Sequence, residues 1–368
     1  MKLLLLSDHL SVHTIKWATS LALRDVKILI YSLSKGKVSS YDDHPNIRVV
    51  QYEIDEETIR SSNFLKKGRY LFSIRHLKRC IKDFGPDVVH AHYASSYGLL
   101  GALSGFHPFI ISVWGSDVYT FPSNVFKRVI LKYSLVKADK VLSTSRAMVK
   151  ETNKYLSGNI EVIPFGIDTD KFRPMEVDSV FPDTSIVVGT IKSLEDIYGV
   201  DYLLRAFKLL KDEFKGMPLK LLIVGRGSKE QSLKQLSISL GIDQDTIFTG
   251  QISHDRVPEY LNMLDIYVAL SLYESFGVAV LEASACQIPV IVSRTGGLPE
   301  VVDDGSSGFI VKSEDEFEAY EALKKLVNDA KRREEMGKKG RSIVLENYNW
   351  EESVNKMLLV YKSILPNE

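Results

Sequence analysis

Two glutamates, Glu274 and Glu282, stand eight residues apart in YESFGVAVLEASACQIPVIVSRTGG (Tyr273–Gly297), a stretch otherwise almost wholly apolar or small. Carboxylates accept hydrogen bonds from hydroxyl groups. Between the strand-like IYVAL and the helix-like VAVLEASA lies Ser275-Phe276-Gly277, a helix start whose N–H groups at Phe276, Gly277 and Val278 would face an anion with the helix dipole behind them. Gly277 lets a ligand come close to the backbone. Glu274 precedes that terminus, and Glu282 lies about six residues into the helix, roughly 9 Å further along at about 1.5 Å per residue. A diphosphate flanked by two hydroxyl-rich sugars fits this spacing. So does a plainer reading, in which Glu274 is a helix N-terminal acid and Glu282 a solvated helix residue.

The rest of the chain must hold these groups in place. Its 368 residues, 45% hydrophobic and 26% charged, suggest about two globular domains. KLLLLS, KILIYS, IRVVQY, DVVHAH, FIISVW and KVLSTS read as strands of the first half, and SIVVGTI, LKLLIVG, IFTG, IYVAL, IPVIVS and GFIV repeat the rhythm. Apolar strands alternating with amphipathic helices indicate parallel sheets, so the expected fold is α/β with two Rossmann-like domains facing across a cleft. The expected boundaries are 1–166 and 167–349, with a C-terminal helix over 350–368 packing back on the first domain. IPFGIDTDKFRPMEVDSVFPDT, with Pro164, Gly166, Pro174 and Pro182, reads as the linker. Residues 90–116 hold no Asp, Glu, Lys or Arg, yet Gly101, Gly105 and Pro108 divide them into a helix-like and a strand-like part, which disfavours a membrane span. The N-terminal MKLLLLSDH is too short for a signal-peptide core. Cys80 and Cys286 lack metal or redox spacing.

The zero net charge hides a split. Residues 1–166 carry 23 Lys+Arg against 14 Asp+Glu, and residues 167–368 carry 24 against 33. Much of the basic excess lies within residues 60–82, RSSNFLKKGRYLFSIRHLKRCIK, where it alternates with Phe64, Leu71, Phe72, Leu77 and other apolar residues. Such a helix can lie on an anionic membrane or form the solvated face of its own domain. No nucleic-acid recognition motif is present.

ESFGVAVLEASACQIPVIVSRTGGLPEVVDDGSSGFIV resembles the signature region of family-four glycosyltransferases, with two glutamates separated by seven residues. The likeness extends through IEVIPFGIDTDKFRP, VGRGSKEQSLKQL, FTGQISHDRVPEYLNMLDIYVALS and DVVHAHYASSYGLLGALS. The resemblance implies the GT-B fold and transfer, with retention at the anomeric carbon, from a nucleotide-sugar to a glycan acceptor. It implies a hexosyltransferase that needs neither metal nor cofactor, takes a UDP-linked sugar as donor substrate, and acts in the cytoplasm on a lipid-linked bacterial surface polysaccharide intermediate. A soluble small-molecule acceptor and a catalytically inactive partner of another transferase are the alternatives. By position, Glu274 would contact the transferred sugar and Glu282 the ribose. Ser275, Phe276, Gly277, Val278, Thr295, Gly296 and Gly297 would line the donor pocket, and Gly225, Arg226 and Gly227 would border the nucleotide.

Several positions depart from the family. Thr190 and Tyr198 stand where the resemblance implies an Arg and a Lys facing the diphosphate, leaving Lys192 as the nearest cation, with Arg226 and Arg294 behind it. Trp114 replaces a histidine in SVWGSDVY, so Asp117 and His92 are the polar groups expected near the reacting sugar. His9, His13 and Lys16 occupy a loop usually rich in glycine and, with Trp114, are expected on the acceptor side. Asp168-Thr169-Asp170 has metal–diphosphate spacing but sits in the linker, and Gly225-Arg226-Gly227 lacks the third glycine of a dinucleotide fingerprint.

Overall fold

The computed structural model describes residues 1–52 and 68–365, of which 68–71 are described by their backbone alone. The chain forms two compact units, Met1–Ile163 together with the stretch from Val354 onward, and Pro164–Ser353. The first carries β1 (Lys2–Leu6), β2 (Lys27–Ser32), β3 (Ile47–Gln51), β4 (Val88–His92), β5 (Phe109–Val113), β6 (Lys140–Ser143) and β7 (Ile160–Val162). The second carries β8 (Ile186–Ile191), β9 (Leu219–Val224), β10 (Thr246–Gly250), β11 (Ile266–Ala269), β12 (Val290–Ser293) and β13 (Gly308–Val311).

Uninterrupted apolar runs become strands only where both faces of a sheet are covered. Leu3 to Leu6 are all essentially buried, as are all five residues of β4 and of β5. Both sheets are parallel throughout, in the orders β3-β2-β1-β4-β5-β6-β7 and β10-β9-β8-β11-β12-β13. In the first unit, Leu4, Leu6, Val89, Ile111 and Val113 pack against Leu77, Leu100 and Leu131 from the helices Gly68–Phe84, Ser96–Ser104 and Val125–Lys137. In the second, Val188, Leu221, Ile223 and Val268 pack against Leu203, Phe207 and Leu210 of the helix Val200–Glu213 and Leu323 of the helix Glu316–Val327.

In each sheet the strand order reverses once. The chain leaves β1 towards β2 and β3, then crosses back to β4 on the other side of β1; in the second sheet β8 is flanked in the same way by β9 and β11. Neighbouring loops diverge at such a point and leave a crevice at the carboxyl ends of the strands, which is where ligands of open α/β sheets bind. The two crevices are bordered by Ser7 to His9 and His92 to Tyr93 in the first unit, and by Lys192 and Glu274 in the second.

The first part of the segment read as a linker, up to Phe172, is packed, whereas most of residues 173–184 are exposed. Phe165, Ile167 and Phe172 are buried, and Ile167 exchanges backbone hydrogen bonds with Tyr348 (2.7 Å) and Trp350 (3.0 Å). The uncharged run 90–116 is the end of β4, the helix Ser96–Ser104 and strand β5. No helix among the described residues is long and apolar enough to cross a membrane. Residues 60–67 of the basic run lie outside the described residues, and residues 68–82 belong to the helix Gly68–Phe84.

The C-terminal helix Trp350–Ile364 is fastened to the first sheet by a buried imidazole. His90 Nδ1 lies 2.8 Å from the Tyr361 hydroxyl and Nε2 2.8 Å from Ser112 Oγ. Burial pushes the His90 pKa down to about 3 from its ordinary 6.5. The folded form therefore keeps His90 neutral where the unfolded chain protonates it, so this stability is present above pH 6.5 and is lost as pH falls towards 3. Between pH 6.5 and pH 4.5 the loss from this one group is on the order of 2–3 kcal/mol, about two pH units at about 1.4 kcal/mol each. Urea unfolding should show His90→Gln losing less stability over this interval than the parent chain; equal losses would dissociate His90 from the acid sensitivity.

Candidate active site

At the reversal of the second sheet, Lys192 follows β8 and Glu274 follows β11, and their side chains meet. Lys192 Nζ lies 2.5 Å from Glu274 Oε2, with the two side chains 16% and 13% exposed. The ammonium also sits 4.7 Å from the centre of the Tyr198 ring, within cation–π range. Burial works to lower the Lys192 pKa, but the Glu274 carboxylate and its hydrogen bond outweigh it and raise the pKa above its ordinary value. The lysine is thus held charged in a partly dry crevice, where fixed charge acts strongly on an anion. At the end of β11 the buried Ser271 hydroxyl has no hydrogen-bond partner among the described residues.

Glycines lock the surrounding loops onto one another. A Cβ on Gly296, whose φ is +48°, would overlap the Glu274 carbonyl oxygen at 1.6 Å, and one on Gly297 would lie 2.6 Å from Ser275 O. Gly297 N–H donates to Glu274 O at 3.1 Å, and Thr295 Oγ1 donates to Leu272 O at 3.0 Å. The Thr-Gly-Gly loop after β12 is therefore a clamp on the Glu274 loop. In the same way Cβ atoms on Gly225 and Gly227 would fall 1.9 Å from Lys192 O and 2.2 Å from Leu194 O, while Lys192 N–H donates to Val224 O and Leu194 N–H to Arg226 O. The Gly225-Arg226-Gly227 turn holds the Lys192 loop. The side chains of Arg226 and Arg294 are exposed.

The helix after Glu274 runs over Val278–Ala285 and starts at Gly277, whose φ of 112° and ψ of 43° suit glycine. A Cβ there would come 2.9 Å from Leu298 Cδ2. No acceptor among the described residues takes the N–H of Phe276, Gly277 or Val278. The Phe276 ring packs on Phe165 and Tyr348, and the residue as a whole is buried. Glu282 is 8% exposed rather than solvated. Its Oε1 lies 3.2 Å from His254 Nε2, and the His254 ring lies against Phe172. His254 was not among the residues singled out from sequence: lying in SHDRVPEY, 28 positions from Glu282, it has no spacing signal that links the two. Asp168 Oδ1 accepts the N–H groups of Asp170 and Lys171, so its carboxylate forms a local turn.

At the reversal of the first sheet, His92 is buried and hydrogen-bonds through Nδ1 to Ser7 Oγ (2.9 Å), which in turn meets Thr14 Oγ1 (2.7 Å). Burial, aided by His90 and His13, holds its pKa well below the ordinary value, so His92 is neutral. Trp114 stacks on it at 4.1 Å, and His13 and Tyr93 approach Trp114 edge-on at 5.8 and 5.3 Å. Tyr93 has φ of +71°, rare for a bulky residue; its N–H donates to Ser112 O and its carbonyl accepts from Gly98 N–H, which hold it there. His13 and Lys16 lie on the helix Val12–Ala22, partly exposed.

Two residues expected to face a ligand have inward partners instead. Asp117 is 1% exposed, and its oxygens accept the N–H groups of Ala94 (2.8 Å), Trp114 (3.2 Å) and Gly115 (2.9 Å). Burial raises its pKa while these hydrogen bonds oppose the rise. It ties the loops after β4 and β5 together. His9 is also 1% exposed, with Nδ1 2.9 Å from Ser32 Oγ and Nε2 3.0 Å from Gly36 O. Both ring nitrogens are engaged within the protein.

Comparison with known proteins shows the family and the fold. Residues 172–343 match the family model described as glycosyl transferases group 1, and residues 2–145 match the one described as glycosyl transferase 4-like. The GDP-mannose-dependent alpha-(1-6)-phosphatidylinositol monomannoside mannosyltransferase of Mycolicibacterium smegmatis is 30% identical over 293 residues, covering 74% of this chain and 76% of the relative. The chain belongs to the family-four glycosyltransferases. The N-acetyl-alpha-D-glucosaminyl L-malate synthase of Bacillus anthracis is 26% identical over 77% of this chain and 76% of its own. In fold, the chain is similar to sucrose-phosphate synthase from Thermosynechococcus elongatus, with a TM-score of 0.84, 19% identity and coverage of 99% and 98%. It is similar also to Anabaena HepE in complex with UDP and glucose, with a TM-score of 0.80, 18% identity and coverage of 99% and 100%. This glycosyltransferase thus has the two parallel-sheet α/β domains of the GT-B fold. Of its departures from the family pattern, Tyr198 supplies the ring beneath Lys192, and Thr190 is buried within β8.

The Lys192–Glu274 pair is buried enough for its disruption to show in stability. Removing one partner of a buried pair costs about 3 kcal/mol because the other charge is left alone, whereas removing both charges costs much less. Urea unfolding of Lys192→Ala, Glu274→Gln and the double variant should give a double-mutant loss well below the sum of the single losses. Additive losses would mean that the two side chains do not interact in solution.

Proposed function

We propose that this glycosyltransferase moves a hexose, with retention, from a UDP-linked sugar to a glycan acceptor, and that the acceptor is a lipid-linked bacterial surface polysaccharide intermediate. In this reading residues 1–166, with the helix in 350–368, bind the acceptor and residues 167–349 bind the nucleotide-sugar. The reaction takes place in the cytoplasm, at the inner face of the cell membrane. The observation that carries the reading is the Lys192–Glu274 pair at the strand-order reversal, beside a helix start with open N–H groups.

The chemistry follows from these groups. The bond between the anomeric carbon and the diphosphate oxygen breaks, and the departing oxygen gains negative charge. Lys192 and the N–H groups of Phe276, Gly277 and Val278 meet that charge without a metal ion. The acceptor oxygen bonds to the same face of the anomeric carbon, and its proton passes to the departing phosphate oxygen. Before the transfer, donor binding releases Glu274 from Lys192, and Glu274 turns to the hydroxyls of the sugar to be moved. Glu282, held by His254, takes the ribose hydroxyls. Much of the catalysis lies in positioning.

A soluble acceptor has its support in the relative named as an L-malate synthase and in several named as D-inositol 3-phosphate glycosyltransferases. An inactive partner has its support in Trp114, Thr190 and Tyr198. Slow release of nucleotide from a nucleotide-sugar separates the enzyme from the inactive partner, which would release none.

Steady-state kinetics divides the roles. Lys192→Ala should lower kcat about 100-fold, equivalent to about 2.7 kcal/mol, because its charge acts mainly in the transition state. Glu282→Ala and His254→Ala should chiefly raise the donor KM, since ribose is held in ground and transition states alike. An unchanged kcat in folded Lys192→Ala would remove Lys192 from the site and pass the role to Arg226 or Arg294. Unchanged donor KM in both of the other variants would refute the ribose assignment.

A further inference from the structure

The helix Val125–Lys137 buries one side only. Leu131, Ser134 and Leu135 pack inward, and the opposite side exposes Val125 (75%), Val129 (59%), Tyr133 (39%) and Val136 (67%). At 3.6 residues per turn these four fall within an arc of about 80°. Arg128 and Lys132 border the stripe on one side and Lys137 on the other, all exposed, and the helix contains no acidic residue. Solvated helix faces rarely hold apolar side chains in a row, and a contiguous apolar patch rimmed by polar groups marks an interaction surface.

The surroundings indicate what covers it. The helix Ser96–Ser104, which has no charged residue, packs between this helix and the helix Gly68–Phe84. The latter exposes Phe72 (60%) together with Arg75, Lys78, Arg79 and Lys82. By the right-handed crossover rule all three helices cover the same face of the first sheet. Together they hold nine Lys or Arg and a single acid, Asp83. An apolar stripe in a basic rim is complementary to a surface that is anionic outside and apolar beneath. A second copy of this chain would bring basic face to basic face, and nucleic acid offers nothing for exposed valines.

We propose that the helix Val125–Lys137 docks on an anionic membrane, its Val125–Val129–Tyr133–Val136 stripe entering the boundary between headgroups and acyl chains while the flanking Arg and Lys meet the headgroups. The basic helix Gly68–Phe84 contributes charge beside it. This deepens the membrane-surface reading of the site given above and adds insertion to it.

The test uses the full chain and sedimentation with vesicles of phosphatidylcholine alone or mixed with phosphatidylglycerol, at about 0.1 M salt, where charges are screened over about 10 Å. The parent should bind only the anionic vesicles. Val129→Asp with Val136→Asp should weaken binding about tenfold or more while nucleotide release from the donor in the absence of lipid stays at the parental rate. Val129→Trp should gain a blue-shifted emission that brominated lipid quenches. If the Asp variant binds like the parent while Arg75→Glu, Lys78→Glu and Lys82→Glu together abolish binding, the electrostatic contact stands and the inserted stripe is overturned. Absence of vesicle binding, or a dimer that Val129→Asp dissolves in a chain indifferent to lipid, overturns it as well.

Discussion

The ion pair between Lys192 and Glu274 joins two loops that the topology would otherwise let diverge. An open parallel sheet separates its loops where the strand order reverses, and here that separation is bridged by opposite charges 2.5 Å apart. The pair constrains everything around it. Tyr198 must offer its ring to the ammonium, the Gly225 and Gly227 turn must leave room for the Lys192 and Leu194 carbonyls, and Gly296 must leave room for that of Glu274. Without ligand, each charge is the other's partner. In the proposed function an incoming diphosphate and sugar take both partners over, so the crevice would not hold an isolated charge either before or after binding.

Much of this was legible in the sequence. Unbroken apolar strands between amphipathic helices specify parallel sheets in each half, and the two glutamates with their helix start mark the site because strand, loop and helix are contiguous there. Lys192 was accessible for the same reason, being the first cation after a strand. What one chain cannot show is the partner across a loop. Glu274 and Lys192 are 82 residues apart, and His254 and Glu282 are 28 apart; no periodicity relates either pair. The glycines of Gly225-Arg226-Gly227 and Thr295-Gly296-Gly297 read as ligand contacts, whereas the atoms that exclude their side chains are carbonyl oxygens of adjoining loops.

The first unit shows the same limit differently. Histidine and aspartate near a strand end are natural candidates for chemistry, yet His9 and Asp117 have all their hydrogen-bonding capacity turned to Ser32, Gly36 and the amides of Ala94, Trp114 and Gly115. Type and position were readable, but burial was not. His92 differs from both: it is neutral and stacked beneath Trp114 at the reversal of the first sheet, beside a tyrosine held at positive φ. That combination of a strained backbone and an imidazole kept uncharged sets His92 apart from those two.

The contacts between glycines and carbonyls also bear on how such a site can diversify. At Gly225, Gly227, Gly296 and Gly297 the loop ends are shaped to the backbone of a neighbouring loop, and a backbone surface changes little when side chains are substituted. Side chains on these loops can therefore drift while the interlock persists, but a change in loop length would misplace the carbonyl that the next glycine accommodates. Under the proposed donor assignment, new donor preferences would arise by point substitution within loops of constant length, or by exchange of the β8, β9, β11 and β12 loops as a set.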